Sequence, residues 1–313
     1  MQITAQMVKD LRDKTGAGMM KCKEALQECG GNFEEAVDFL RKKGLASADK
    51  RSGRATSQGL VVPMTSEDRR TAVILEVNCE TDFVARNDNF VAFADKLAKA
   101  VLNNPAIKTV ADLEKATIDG QPGEEYRKSM VANTGENMSF GRVERFEIGN
   151  GKFGLFDTYI HGDGNIGVLV QLETENAEAA QNAEALTIAH EIALQAAAMK
   201  PLYTLPEEVP AADLAREKDV ILGQIKNDPK NANKPEDIVN KIVDGRLAKY
   251  YKEYCLNEQA YVKDDSKAIK DLTAELSKKI GSKVALVTFR RWALGEAGAE
   301  TETPEEKSAE AAG

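Results

Sequence analysis

Three carboxylates, Glu80, Asp82 and Asp88, crowd around one phenylalanine in NCETDFVARND. Acids at such spacing could hold a divalent metal or share general acid–base work in a hydrolase. A metal-dependent site would need further ligands, and the chain offers few. Its two histidines, His161 and His190, lie far apart in sequence. His190 falls inside an apolar helical pattern and reads as a satisfied core or surface residue. His161 ends a strand beside a glycine-rich turn and reads as an accessible turn residue. Cys22, Cys29, Cys79 and Cys255 form no C-x-x-C pair, which fits reduced thiols better than a zinc site or a disulfide framework. The motifs G-x-x-x-x-G-K-[ST], H-E-x-x-H and G-x-S-x-G are missing. Gly162-Asp163-Gly164-Asn165-Ile166-Gly167 satisfies G-x-G-x-x-G, but a β-rich run follows it instead of a helix. A hairpin turn is therefore expected there, not a dinucleotide site. No catalytic constellation, bound metal or cofactor is expected.

Contact residues remain. Thr81 can cap a helix, and Phe83 can be its inward anchor or a side chain held out toward a partner; both readings stay open on composition. Met19 and Met20 follow the glycine-bearing turn Thr15-Gly16-Ala17-Gly18. Adjacent helical positions cannot both face one core, so one methionine should be exposed, and exposed methionine is an adaptable contact residue. Lys23 and the basic runs Arg41-Lys42-Lys43 and Lys50-Arg51 read as a solvated face.

The elements that must position these residues follow from pattern. The 313 residues are 42% hydrophobic and 30% charged, which suits a soluble chain with two or three cores. A net charge of −9 argues against nucleic acid as the main partner. No apolar run is long enough to span a bilayer, and MQITAQMVKD lacks an apolar signal region, so a cytoplasmic location is expected. Residues 4–43 read as three short helices, the third capped at Asn32 and stopped at Gly44. Residues 45–58 read as a linker. Leu60–Val62 and Val73–Val77 suggest a hairpin, followed by a helix at 88–103. A second hairpin, Phe153–Ile160 and Ile166–Leu172, precedes an alanine-rich helix at 176–199. This returning order predicts an α+β class with an internally repeated core. Residues 210–254 read as a helical hairpin around the bend NDPKNANKP, either packed or dimerising. A helix near 266–280 and a strand at 284–289 would return to the sheet, and an acidic tail from 295 would not order itself. The expected units are 1–44, linker 45–58, 59–150, 151–209 with 255–294, the insertion 210–254, and the tail 295–313.

The repeat bears on Phe83. The matching connection in the second copy is ETENAEAAQ, which has no aromatic residue. If the scaffold required a phenylalanine, both copies should carry one.

TGAGMMKCKEAL, EVNCETDFVARNDNF, HGDGNIGVLV and VTFRRWALGE together resemble the bacterial elongation factor Ts family, over about residues 2–296. The resemblance implies a non-enzymatic guanine nucleotide exchange factor for elongation factor Tu in the cytoplasm. It implies a UBA-like three-helix N-terminal domain, a two-part α+β core and a helical hairpin that makes homodimers in some members. Thr81, Asp82, Phe83 and Val84 match the motif that dislodges Mg²⁺ from the GTPase. Arg12, Met19, Met20, Lys23, Gly135 and His161 match partner contacts. Trp292 stands where phenylalanine is more usual, and the tail after 296 does not resemble the C-terminal helix of some members. A plain adaptor working through residues 1–44 is the alternative class, and it would leave Phe83 dispensable.

Overall fold

The computed structural model describes residues 2–228 and 234–296. Three helices come first: α1 (Ala5–Thr15), α2 (Met19–Glu28) and α3 (Phe33–Asp49). Strands β1 (Gln58–Thr65) and β2 (Thr71–Cys79) lead to the one-turn helix α4 (Asp82–Ala85) and to α5 (Asp88–Asn103). Then come α6 (Val110–Lys115), the short β3 (Thr117–Ile118) and β4 (Gln121–Pro122), α7 (Gly123–Thr134) and β5 (Met138–Glu147). Strands β6 (Phe153–His161) and β7 (Ile166–Thr174) precede α8 (Ala177–Ala180) and α9 (Ala183–Met199). The helices α10 (Ala211–Asn227) and α11 (Glu236–Tyr254) form the hairpin, closed by Ile221, Ile225, Val243 and Leu247. Part of its bend, and the tail beyond 296, lie outside the described residues. The small β8 (Ala260–Tyr261) and β9 (Asp264–Ala268), then α12 (Ile269–Ile280) and β10 (Val284–Ala293), complete the chain. The α+β class and its small antiparallel sheets are as expected.

The internal repeat holds residue for residue from β1 to α5. Each copy makes a three-stranded antiparallel sheet, ordered β1–β2–β5 in one and β6–β7–β10 in the other. Gly59 matches Gly154, and a Cβ at either would meet the carbonyl oxygen of Val77 at 2.1 Å or of Leu172 at 2.2 Å. Asn87 caps α5 and Asn182 caps α9 at the same offset. Helix α5 covers its sheet with Phe90, Leu97 and Val101; α9 uses Ala185, Ile192 and Ala196 at the matching positions, with α12 as a second cover.

The two sheets pack against each other on the faces the helices leave free. Val61, Ile74 and Trp292 meet there, as do Ala72, Phe156 and Leu169. Both faces of β2 are therefore buried, which explains the unbroken apolar run VILEV. Glu76 is buried in this layer, paired with Arg142 at 2.7 Å, and the guanidinium lies 4.4 Å from the Trp292 ring centre. A buried charge needs such a partner. Arg69, at the β1–β2 turn, binds Asp157 of β6 at 2.8 Å and further joins the copies.

Two expectations are corrected. Helix α3 does not stop at Gly44 but runs to Asp49, so residues 45–49 are helical. Gly44 is buried where α3 crosses α7, and a Cβ there would stand 2.8 Å from that of Ala132. The glycine serves close approach instead of termination. Arg41 with Glu125, and Lys128 with Asp49 at 2.7 Å, fasten the same contact. The expected helix over 176–199 is broken at Gln181–Asn182, because Asn182 accepts the Glu184 N–H at 2.8 Å and starts a new helix.

Candidate partner-binding surface

The loop after β2 is fixed from several sides. Thr81 Oγ1 accepts the Val84 N–H at 3.3 Å and so caps α4. The Thr81 N–H and hydroxyl both donate to the Glu136 carboxylate, at 3.0 and 2.7 Å. Glu80 accepts the Asn137 N–H at 2.6 Å, and the Cys79 thiol donates to the Thr81 carbonyl at 3.2 Å. Burial pushes that thiol's pKa up to about 12, assisted by the nearby Glu136 charge, so it stays protonated. Gly135 ends α7 in the left-handed conformation (φ 83°) and turns the chain so that Glu136 reaches Thr81.

On this anchored turn Val84 and Ala85 face the core, while Phe83 points outward and is 84% exposed. Asp82 is half-exposed, 3.7 Å from Arg86. The second copy carries Glu178 at the position of Phe83, also exposed, and buries Ala179 beneath it. The scaffold does not need an aromatic ring here. The Phe83 ring therefore contributes little to the core of its own copy.

A shallow groove of ≈ 400 Å³ runs beside it, lined by Gln58, Thr81, Asp82, Phe83, Asp163 and Asn165 among others. The β6–β7 turn thus lies next to the Phe83 loop. Its glycines serve packing: a Cβ at Gly164 would meet Leu60 at 2.4 Å, and one at Gly167 would meet Val61 at 2.5 Å. The expected hairpin turn is what the strands show. His161 closes β6 at that turn, exposed, with Nδ1 3.0 Å from the Tyr159 hydroxyl. His190 instead binds Asp157 at 2.9 Å.

The structure joins Thr81, Asp82 and Phe83 to the turn after His161 through the groove, which neither Val84 nor His161 lines, and joins Thr81 to the residue after Gly135 through Glu136. Arg12, Met19, Met20 and Lys23 lie on α1 and α2, all exposed, and line no part of that groove. Both methionines are exposed, Met19 by 43% and Met20 by 77%, where one was expected. Met19 shares a stripe with buried Cys22 and Leu26, but it occupies the first turn of α2, where the small module does not fully cover it. Sequence reasoning missed Glu136 and Asn137, whose only signal was a pair of polar residues directly after a helix-ending glycine. Of the three carboxylates around Phe83, Glu80 is taken by Asn137 and Asp82 by Arg86. Among the described residues no group of three or more His, Cys, Asp or Glu could hold a metal ion, and no helix is long and apolar enough to cross a membrane.

The chain is a duplicated α+β scaffold with an exposed phenylalanine on a clamped turn. The family model described as elongation factor TS matches residues 80–296. The chain is 44% identical over 297 residues to the elongation factor Ts of Clostridium kluyveri, covering 94% of this chain and 93% of that one. It is 43% identical to those of Clostridium perfringens, over 295 residues, and Symbiobacterium thermophilum, over 296, with the same coverage of both chains. The chain belongs to the elongation factor Ts family. Membership implies nucleotide exchange on elongation factor Tu during translation, not covalent catalysis.

Proposed function

We propose that this chain binds elongation factor Tu in its GDP-bound and nucleotide-free states and displaces Mg²⁺ through Thr81, Asp82, Phe83 and Val84. The observation that carries the reading is the Phe83 ring, 84% exposed on a turn whose backbone is held by Glu136. A GTPase holds GDP through backbone N–H groups, a lysine and Mg²⁺ bridging the phosphate charges. Phe83 enters an apolar gap of the partner and moves the parts that retain the metal, while Asp82 adds negative charge nearby. Two unit charges ~4 Å apart interact by about 4 kcal/mol at an effective dielectric of 20. Losing a bridge of that size weakens GDP retention roughly a thousandfold. By linkage, a factor that lowers GDP affinity is itself held less tightly while GDP is bound. Exchange is thus accelerated without a chosen direction.

In this reading Arg12, Met19, Met20 and Lys23 dock the N-terminal helices on the partner, and Gly135 and His161 complete the core contact. The hairpin at 210–254, with Val220 and Ile238 exposed, is assigned to self-association in the cytoplasm. The test is release of labelled GDP from purified elongation factor Tu. The intact chain should accelerate it, and Phe83→Ala and Asp82→Ala should each remove most of that effect. Burying the ring against the partner is worth about 2 kcal/mol, so roughly a thirtyfold loss is expected for Phe83→Ala. Full acceleration by both variants would sink the mechanism; none by the intact chain would sink the function.

A further inference from the structure

The geometry points to Tyr159 as a positioning residue that fixes which nitrogen of His161 carries the proton. Asp157, Tyr159 and His161 alternate along β6 and so share one face of the strand. The Tyr159 ring is partly buried against the second core and meets His190 edge-on, with ring centres 5.9 Å apart. His190 is in turn held by Asp157 at 2.9 Å, and Asp157 by Arg69 at 2.8 Å. The ring is therefore fixed from beneath. Its hydroxyl stands 3.0 Å from Nδ1 of His161.

A phenol O–H is a good donor, and a neutral imidazole has one donor and one acceptor nitrogen. With the hydroxyl donating to Nδ1, the neutral ring must carry its proton on Nε2. The hydrogen bond made by one ring nitrogen sets the state of the other in this way. His161 then presents an N–H donor outward from the end of β6. The complementary group on the partner is an acceptor, a backbone carbonyl or a carboxylate, not a donor. This inference rests on the reading of His161 as a partner contact. The first copy carries Val62, Met64 and Ser66 at the positions of Asp157, Tyr159 and His161, so the arrangement is particular to the second copy.

Imidazole ¹⁵N NMR of the full chain reads the tautomer directly. Only two histidines are present, so the His161→Ala spectrum assigns both. The wild-type ring should show an unprotonated Nδ1 and a protonated Nε2, and Tyr159→Phe should give a mixture. In the GDP-release assay Tyr159→Phe should cost about twofold, because an even tautomer mixture halves the population with Nε2 protonated. In the His161→Ala background the same change should cost nothing more. A wild-type proton on Nδ1, or an undiminished Tyr159→Phe cost in that background, overturns the proposal, since a merely structural tyrosine would act in both backgrounds. A wild-type chain without effect on GDP release overturns the functional reading and the recognition step with it, while the NMR spectrum still decides the tautomer lock.

Discussion

Replacing Glu136 by alanine should loosen the Phe83 turn without unfolding the protein. Glu136 accepts two hydrogen bonds from Thr81, from its N–H at 3.0 Å and its hydroxyl at 2.7 Å. Bonds to a charged acceptor are worth about 1.5–3 kcal/mol each when buried. Glu136 is only half-buried, so water replaces part of the loss, and about 2 kcal/mol of local stability for the pair is a reasonable figure. That is roughly a thirtyfold larger open fraction. Cys79 reports on it, because its thiol lies beneath the turn and donates to the Thr81 carbonyl. Burial, and next the Glu136 charge, hold that thiol's pKa up at about 12, so in the intact chain it should resist a thiol reagent at pH 8. Cys255 is held up to about 11, and Cys22 is buried, so half-buried Cys29 should label first. In Glu136→Ala, Cys79 labelling should rise about thirtyfold by peptide mass spectrometry, with Cys22 and Cys255 unchanged. Equal labelling of Cys79 in both proteins would refute the view that Glu136 holds the turn.

Phe83→Ala should barely affect stability: with the ring 84% exposed, only about a sixth of the roughly 3–5 kcal/mol for a buried phenylalanine applies, about 0.6 kcal/mol. Calorimetry should show a Tm change of about 1 °C, and a fall of several degrees would mean the ring is a core residue. Gly44→Val forces α3 away from Ala132 and should cost about 1–3 kcal/mol, read as lost hydrogen-exchange protection in α7; unchanged protection would contradict the close contact. Glu124 supplies a pH test. Burial alone would raise its pKa, but its two bonds to Arg127 and the nearby Lys128 hold it below the ordinary value of 4.5. Its stabilising contribution is therefore complete above pH 4.5 and is lost as pH falls through the depressed value. Glu124→Gln should be less stable than wild type at pH 7 and equal to it once both are measured below that range. A constant difference at all pH values would refute the pairing.

What was legible in the sequence was what local chemistry dictates. Asn32 announces a helix start, and the apolar run at 73–77 announces a hairpin strand. The exposure of Phe83 was readable only by comparison with ETENAEAAQ, since Thr81 does cap a helix and nothing local says which way the ring points. The rest depends on groups distant in sequence. Gly44 looks like a stop unless Ala132 is known to lie against it. Glu136 looks like any surface acid until Thr81 arrives. The break before α9 was missed because 176–199 is rich in good helix formers, although Asn182 repeats Asn87 and could have revealed it. Trp292 reads as a conservative replacement, yet its ring also faces the Arg142 guanidinium that neutralises buried Glu76.

The duplication separates the residues that folding requires from those it does not. From β1 to α5 and from β6 to α9 the two copies align without insertion, so each tests what the other's residues are for. Where both carry the same feature, as at Gly59 and Gly154, a steric need of the sheet accounts for it. Where they differ at an exposed position, the scaffold does not require the particular side chain. The first copy differs at Phe83 against Glu178, after its second strand. The second differs at His161 against Ser66, at the end of its first strand. Because β1 lies beside the β6–β7 turn, Asp163 and Asn165, close after His161 in that turn, line the groove beside Phe83. The duplicated scaffold thus accounts for the glycines and caps that the copies share, and leaves the Phe83 side chain without a role in folding.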